Sequence, residues 1–418
     1  MKKHWIFCTA VAALLACSVG CPPSGADNGG SGGGASGGGG SGSDAKVIKI
    51  VSSLPRTGSA KGQTDTIVNG IKMAIDEAGA EAGGFSIVYE DLDDATAAAG
   101  QWTAEAEGTN AKKAVANADV MAFIGPYNSG AAMISMPILN EADLLQISPS
   151  NTWPGLTKED VGAPDEPAKY RPTSRVNFLR VCPTDDLQGK VAAEWSKSMG
   201  VEKVYILDDG ELYGKGIADM FEESCKDLGL EVLGRDSIDP KAQEFRSLMT
   251  TIKSKGPGLV YFGGTTQSKG GQIAKDMVAA GLDAKLMAPD GCYEQAFIES
   301  AGADNLNGRC FITFGGIPPE EQVGPGKEFV DKYKEKYGAM PEAYAIYAYE
   351  ATKVALQAIE DAGVKDRRAI TDAALAIRDF DGALGTWSFD DNGDTSLTRM
   401  SGIEVTGGEF KFVKFLGE

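Results

Sequence analysis

Residues 46–416 switch repeatedly between short apolar runs and longer stretches in which apolar residues recur every three or four positions. Residues 46–54 are apolar and β-branched, and residues 65–80 then place Ile67, Ile71, Met73 and Ile75 at helical spacing. The first pattern predicts a strand and the second an amphipathic helix. Residues 85–92 predict a strand, 95–116 an alanine-rich helix, 120–124 a buried strand, 129–142 a helix and 144–147 another buried strand. Such alternation implies a parallel sheet with helices on both faces.

Residues 151–172, with four prolines, interrupt the series as a loop-rich rim. It then restarts, with strands expected at 177–181, 203–208, 231–238, 259–263, 285–289 and 309–314, and helices at 187–199, 213–228, 242–255 and 267–280. Three helices follow at 328–337, 342–362 and 366–378, then strands at 385–389, 397–405 and 409–415, with a hairpin-type turn at Asp391-Asn-Gly393. Two β/α series predict two similar lobes, and the late helices and strands return to complete each in turn.

The amino terminus follows a different pattern. Lys2 and Lys3 precede an apolar run at 5–16, too short to span a bilayer but suited to the core of a signal peptide. Leu14-Leu-Ala-Cys17 and Ser18-Val-Gly-Cys21 both resemble the lipobox of bacterial lipoproteins, in which cleavage exposes a cysteine that receives lipid. Cys21 ends the apolar segment cleanly and is the expected lipidation site, with signal peptide 1–20; Cys17, with leucine three residues before it, is the alternative. Residues 21–45 are almost all glycine, serine, proline and alanine, a composition that cannot bury enough apolar surface to order itself. As a coil this tether reaches roughly 25–30 Å. A lipid at one end and a globular body at the other place the body outside the cytoplasm, held to the membrane through lipid alone.

Composition narrows the function. The chain has 418 residues, 42% of them hydrophobic, enough for two or three cored domains. A net charge of −19 leaves no basic surface for nucleic acid. The single histidine, His4, lies in the segment expected to be removed, which excludes Ser-His-Asp and Cys-His catalysis and histidine zinc sites. In an exported body Cys182, Cys225, Cys292 and Cys310 could form disulfides. Cys292 and Cys310 bracket a short helical segment and are the first pair to consider, with buried free thiols as the alternative.

The most telling motifs lie at strand ends. Gly125-Pro-Tyr-Asn-Ser-Gly130 follows strand 120–124, and Ser148-Pro-Ser-Asn-Thr152 follows strand 144–147. Open α/β sheets bind ligands beyond the carboxyl ends of their strands. The hydroxyls, amide and glycines found there hold a small polar ligand well and catalyse poorly. Asn128 and Ser129 fall at a helix start, where free amides and the dipole favour a carboxylate. Asp290, ending another strand, is placed to meet an ammonium group, and Tyr213 opens a helix beside it. Together they would clamp a zwitterion. Residues 207–216 fail as a phosphate loop, with three residues between Gly210 and Gly214 and Gly216 after Lys215. Residues 390–394 fail as a calcium loop, whose glycine and final glutamate positions hold Thr395 and Ser401. Ser129 lacks the nucleophile-elbow spacing, so no catalytic residue, metal or cofactor is expected.

In this order the motifs resemble the leucine/isoleucine/valine-binding-protein family, the type I periplasmic solute-binding proteins of ABC transporters. The resemblance spans residues 46–418 and rests on 48–55 with Thr57-Gly58, Asn69-Gly70, 125–130, 147–152, 180–189, 208–216, 261–264 and 289–291. It implies an α/β fold of two Rossmann-like lobes of the periplasmic-binding-protein-like I type, closing like a Venus flytrap. Three hinge crossings are expected near 176–183, 310–314 and 388–394. Lobe one would be 46–180 plus 313–388, and lobe two 181–312 plus 389–418. The residues matching Ser129, Ser150 and Thr152 hold the ligand carboxylate and amine in that family, with Tyr127 in the same motif as Ser129. Tyr213 and Asp290 complete the amine site from the other lobe; some members have glutamate where Asp290 stands. Thr265 replaces an aromatic ring of some members, so a small polar amino acid or an amide stands beside the branched-chain default. The implied partners are a permease and an ATPase, with the protein a monomer; presentation of the ligand to a receptor, as a sensor, is the alternative role.

Overall fold

Val47–Leu54, Val120–Ile124 and Leu145–Ser148 are buried over nearly their whole length, as parallel strands covered on both faces must be. In the computed structural model, which describes residues 46–417, they form the centre of a six-stranded sheet. Its order is Glu81–Ala82, Phe85–Asp93, Val47–Leu54, Val120–Ile124, Leu145–Ser148, Phe178–Arg180. Every pairing is parallel except that of the short first strand. A second sheet runs Glu231–Ser237, Lys203–Asp208, Leu259–Gly263, Lys285–Ala288, Cys310–Gly315, Met400–Thr406, Glu409–Leu416. It is parallel as far as Cys310–Gly315 and antiparallel across its last two strands.

The expected pair of α/β lobes is therefore present, and late elements do return to each sheet. Helix Ala345–Ala362 packs on Lys61–Glu77 and on the first sheet, where Ile67 and Ile71 meet Ile48 and Ile50 in one core. Met400–Thr406 and Glu409–Leu416 extend the second sheet, whose helix Leu212–Leu228 stacks Phe221 on Tyr261 with ring centroids 3.9 Å apart. Among the described residues no helix is long and apolar enough to cross a membrane. The signal peptide, Cys17, Cys21 and the tether lie outside the described residues.

One expected element is wrong. Residues 95–116 do not form a single helix: Ala95–Thr96 and Gln101–Trp102 pair as a small antiparallel hairpin, and the helix is Ala104–Ala116. Gly100, at φ +67°, makes the turn that alanine would resist, and the Thr103 hydroxyl caps the helix by accepting from the Ala106 amide at 3.2 Å.

The chain crosses between the sheets three times, between Arg180 and Asp185, Gly315 and Gly324, and Trp387 and Met400; the second crossing is not at 310–314 as expected, because those residues form an inner strand of the second sheet. The first and third crossings are tied together. The turn at 391–393 carries Asp394 back beside Arg180, where Arg180 Nε meets Asp394 Oδ1 at 2.7 Å and the Arg180 amide donates to the Gly393 carbonyl at 3.0 Å. Arg180 is wholly buried. Its guanidinium also donates to the carbonyls of Asn151 at 3.0 Å and Trp153 at 2.7 Å and to the Thr157 hydroxyl, and Thr157 in turn donates to Asp394 Oδ2 at 3.0 Å. One cation thus fixes both the hinge and the loop that carries Thr152.

Candidate functional site

Beyond Val120–Ile124 the chain turns into helix Ser129–Glu141. Asn128, the residue before it, is extended, and its side chain makes no bond to the helix. Its Oδ1 has no protein partner. The helix start thus keeps its dipole and amides for another acceptor. At the next strand end Ser148 is consumed internally: its hydroxyl accepts from the amides of Ser150 at 3.2 Å and Asn151 at 3.0 Å and donates to the Pro126 carbonyl at 3.1 Å. Ser150 donates to the Tyr127 carbonyl at 3.0 Å, while Thr152 Oγ1 is buried with no partner.

The second lobe supplies the acid. Asp290 opens a short 3-10 turn after Lys285–Ala288 and is buried. Tyr213 donates to its Oδ1 at 2.7 Å, and the Gly291 amide donates to the Tyr213 hydroxyl at 3.1 Å. Tyr344, from the first lobe, donates to Oδ2 at 2.5 Å. Burial raises the Asp290 pKa, against the hydroxyls of Tyr344 and Tyr213 and the Gln188 amide, which favour the charged form. Close by is the buried Asp185, whose carboxylate oxygens make no close hydrogen bond and have the Thr152 hydroxyl beside them. Burial first and the neighbouring Asp290 second hold its pKa well above the usual carboxylate range.

Tyr127, Ser129, Ser150, Tyr213, Thr265 and Asp290 line one small cavity of about 20 Å³. The structure brings these six expected positions together. Thr152 stands outside the lining, buried on the same loop. Tyr344 and Asp185 were not singled out from sequence. The acidic doublet 185–186 reads as ordinary helix-start charge, and Asp186 does serve there, pairing with Lys158 at 2.9 Å. Nothing local distinguishes Asp185, which turns inward.

The lobes are shut over this cavity. Besides Tyr344 on Asp290, Gln63 Nε2 donates to the Tyr293 carbonyl at 3.3 Å and the Gln295 amide to Glu342 Oε1 at 3.1 Å. Trp153 lies flat against Gly216, where a Cβ would come within 2.3 Å of the ring, so only glycine permits the approach. The bond considered between Cys292 and Cys310 is not made. Both are buried free thiols, and Cys292 Sγ is directed instead to the Gly264 carbonyl at 3.7 Å.

Several buried acids make stability depend on pH. Burial pushes Asp209, Glu107 and Glu342 up to about 7 and Glu294 up to about 8. Each therefore holds a proton in the folded state at pH values where the unfolded chain has released it. Such groups favour folding more strongly as pH falls through their folded pKa toward the ordinary carboxylate range. The thermal midpoint should rise as pH falls from about 8 to about 5. Differential scanning calorimetry across that range checks this, and a midpoint that falls steadily would contradict it.

Residues 47–409 match the family described as periplasmic binding protein. The Leu/Ile/Val-binding protein BraC3 of Rhizobium johnstonii is 29% identical over 351 residues, covering 83% of this chain and 88% of its own length. The leucine binding protein LivK of Thermotoga maritima superposes with a TM-score of 0.78 at 27% identity, over 88% of this chain and 99% of its own. LivJ of Streptococcus pneumoniae, a branched-chain amino acid transporter substrate binding protein solved with isoleucine, gives 0.76 at 25% identity, over 88% and 100%.

Proposed function

The chain belongs to the periplasmic binding protein family, and from that membership and the geometry of the cleft we propose that it captures an amino acid between its two lobes, outside the cytoplasm, for delivery to the permease and ATPase of an ABC transporter. The observation that carries this reading is the division of labour across the cleft. The first lobe offers the open start of helix Ser129–Glu141, with Ser129 on the cavity wall, and the second offers the buried carboxylate of Asp290. A carboxylate and an ammonium on one small molecule satisfy both sides at once. Neither side alone holds a zwitterion, so binding and closure are coupled. Relatives named for leucine, isoleucine and valine favour an amino acid over other zwitterions. Cys21 would carry the lipid anchor, with Cys17 the alternative, and the 21–45 tether would let a monomeric body reach the permease.

The direct test is thermal unfolding of the purified full chain against each common amino acid. A ligand at 100 times its dissociation constant adds about 2.7 kcal/mol of stability, a shift of several degrees. One or a few amino acids should give that shift, and silence across all of them would refute the proposal.

A further inference from the structure

A second, narrow cavity of about 10 Å³ adjoins the first in this closed form, so a side chain enters it only as the lobes part and reclose around it. Asn128, Tyr213 and Thr265 line both, so a molecule seated in the first can extend into the second. The walls of the second are polar and acidic. They carry the carboxylates of Asp209 and Glu211 and the amides of Gln101 and Gln267, and they include no cationic and no aliphatic side chain.

These groups are only partly satisfied within the protein. Asp209 is 3% exposed; its Oδ1 accepts from the Glu211 amide at 3.0 Å and the nearby Ser268 hydroxyl favours its charged form, while its Oδ2 makes no close hydrogen bond. Both polar atoms of the Gln267 side chain are buried with no partner, as is Asn128 Oδ1. Trp102 supplies an aromatic face. A Cβ built on Gly130 would lie 2.7 Å from its ring and 3.6 Å from Glu211 Oε2, so ring and carboxylate converge on one spot from opposite lobes. A branched aliphatic group placed here would strand Asp209 and Gln267 without water or partners, which is costly. A cation would satisfy both carboxylates and the amide oxygens and gain the face of the indole.

We propose that the second cavity receives the side chain of a basic amino acid, its terminal ammonium or guanidinium held between Asp209 and Glu211 against Trp102. The inference rests on the reading above, in which the helix start at Ser129 and the carboxylate of Asp290 hold the α-carboxylate and α-ammonium. It departs from the aliphatic ligands named for the relatives because this side-chain pocket has no aliphatic wall.

Titration calorimetry on the full chain with lysine, arginine, ornithine, leucine, isoleucine and valine tests it. At least one basic amino acid should bind roughly a hundredfold more tightly than leucine. Asp209→Asn with Glu211→Gln should erase most of that preference, a loss of about ten- to a hundredfold for the basic ligand, while the weak affinity for leucine is unchanged or improved. The single Glu211→Gln variant, at a half-buried position, should lose a smaller part of the preference and serves if the double variant does not fold. If leucine, isoleucine or valine binds more tightly than every basic amino acid, the inference is overturned and the reading of the α-groups stands. If no amino acid binds, both fall. A preference for basic ligands that survives both carboxamide substitutions also overturns it.

Discussion

Arg180→Ala should lower the free energy of unfolding by roughly 3–5 kcal/mol, the range seen when one member of a buried ion pair is removed. The residue is wholly buried, and its loss leaves the Asp394 carboxylate hydrogen-bonded only by the Thr157 hydroxyl, with Arg171 as its remaining nearby counter-charge. The carbonyls of Asn151 and Trp153 also lose their donors. Arg180→Lys should recover only part of the loss, because a single ammonium cannot reproduce the fork that meets Asp394 and two carbonyls together. Urea unfolding at neutral pH measures both. A loss of less than about 1 kcal/mol for the alanine variant would show that the pair does not hold the hinge. Because the same guanidinium fixes the loop bearing Thr152, ligand affinity should fall with stability.

Asp290→Ala should abolish most amino-acid binding and leave the fold intact. Truncating a buried, hydrogen-bonded charge that meets an opposite charge costs roughly 2–5 kcal/mol of binding, a thirtyfold loss of affinity or more. Without ligand the effect on stability has the opposite sign. Asp290 and Asp185 are two buried acids, burial disfavours the charged form of each, and the charge of Asp290 further disfavours that of Asp185. Removing one relieves that conflict, so the ligand-free midpoint should hold or rise even though the hydroxyls of Tyr213 and Tyr344 lose their acceptor. Calorimetric titration paired with thermal unfolding separates the two effects. Unchanged affinity would remove Asp290 from the binding site.

Much of this architecture is legible in the sequence because it is local. The runs at 120–124, 203–208 and 259–263 are buried parallel strands where their apolar patterns end, and motifs at strand ends are bound to reach the cleft. The failures are tertiary. Alanine at 95–99 fits a helix or a turn equally, and only Gly100 and the cap at Thr103 decide. Ser148 and Ser150 look alike in sequence and both donate to backbone carbonyls of the neighbouring 125–130 segment, yet only Ser150 lines the cavity. Tyr344 reaches Asp290 from a helix start more than fifty positions away, a proximity that no periodicity reports. The acids at 209 and 211 read as a failed phosphate loop, and their meaning emerges only when Trp102 is brought opposite them.

The contact of Trp153 with Gly216 makes the closed cleft visible to light. Its indole is buried between elements of opposite lobes. Trp195 and Trp387 are packed inside single lobes, against Phe311 and Phe389. Parting the lobes would move the Trp153 ring from an apolar seam into water, draw Trp102 away from Glu211, and leave the other two where they are. Emission from the unlabelled protein should then lie at longer wavelength in the open form and shift to shorter wavelength on closure, giving each ligand a direct optical rate for shutting the trap.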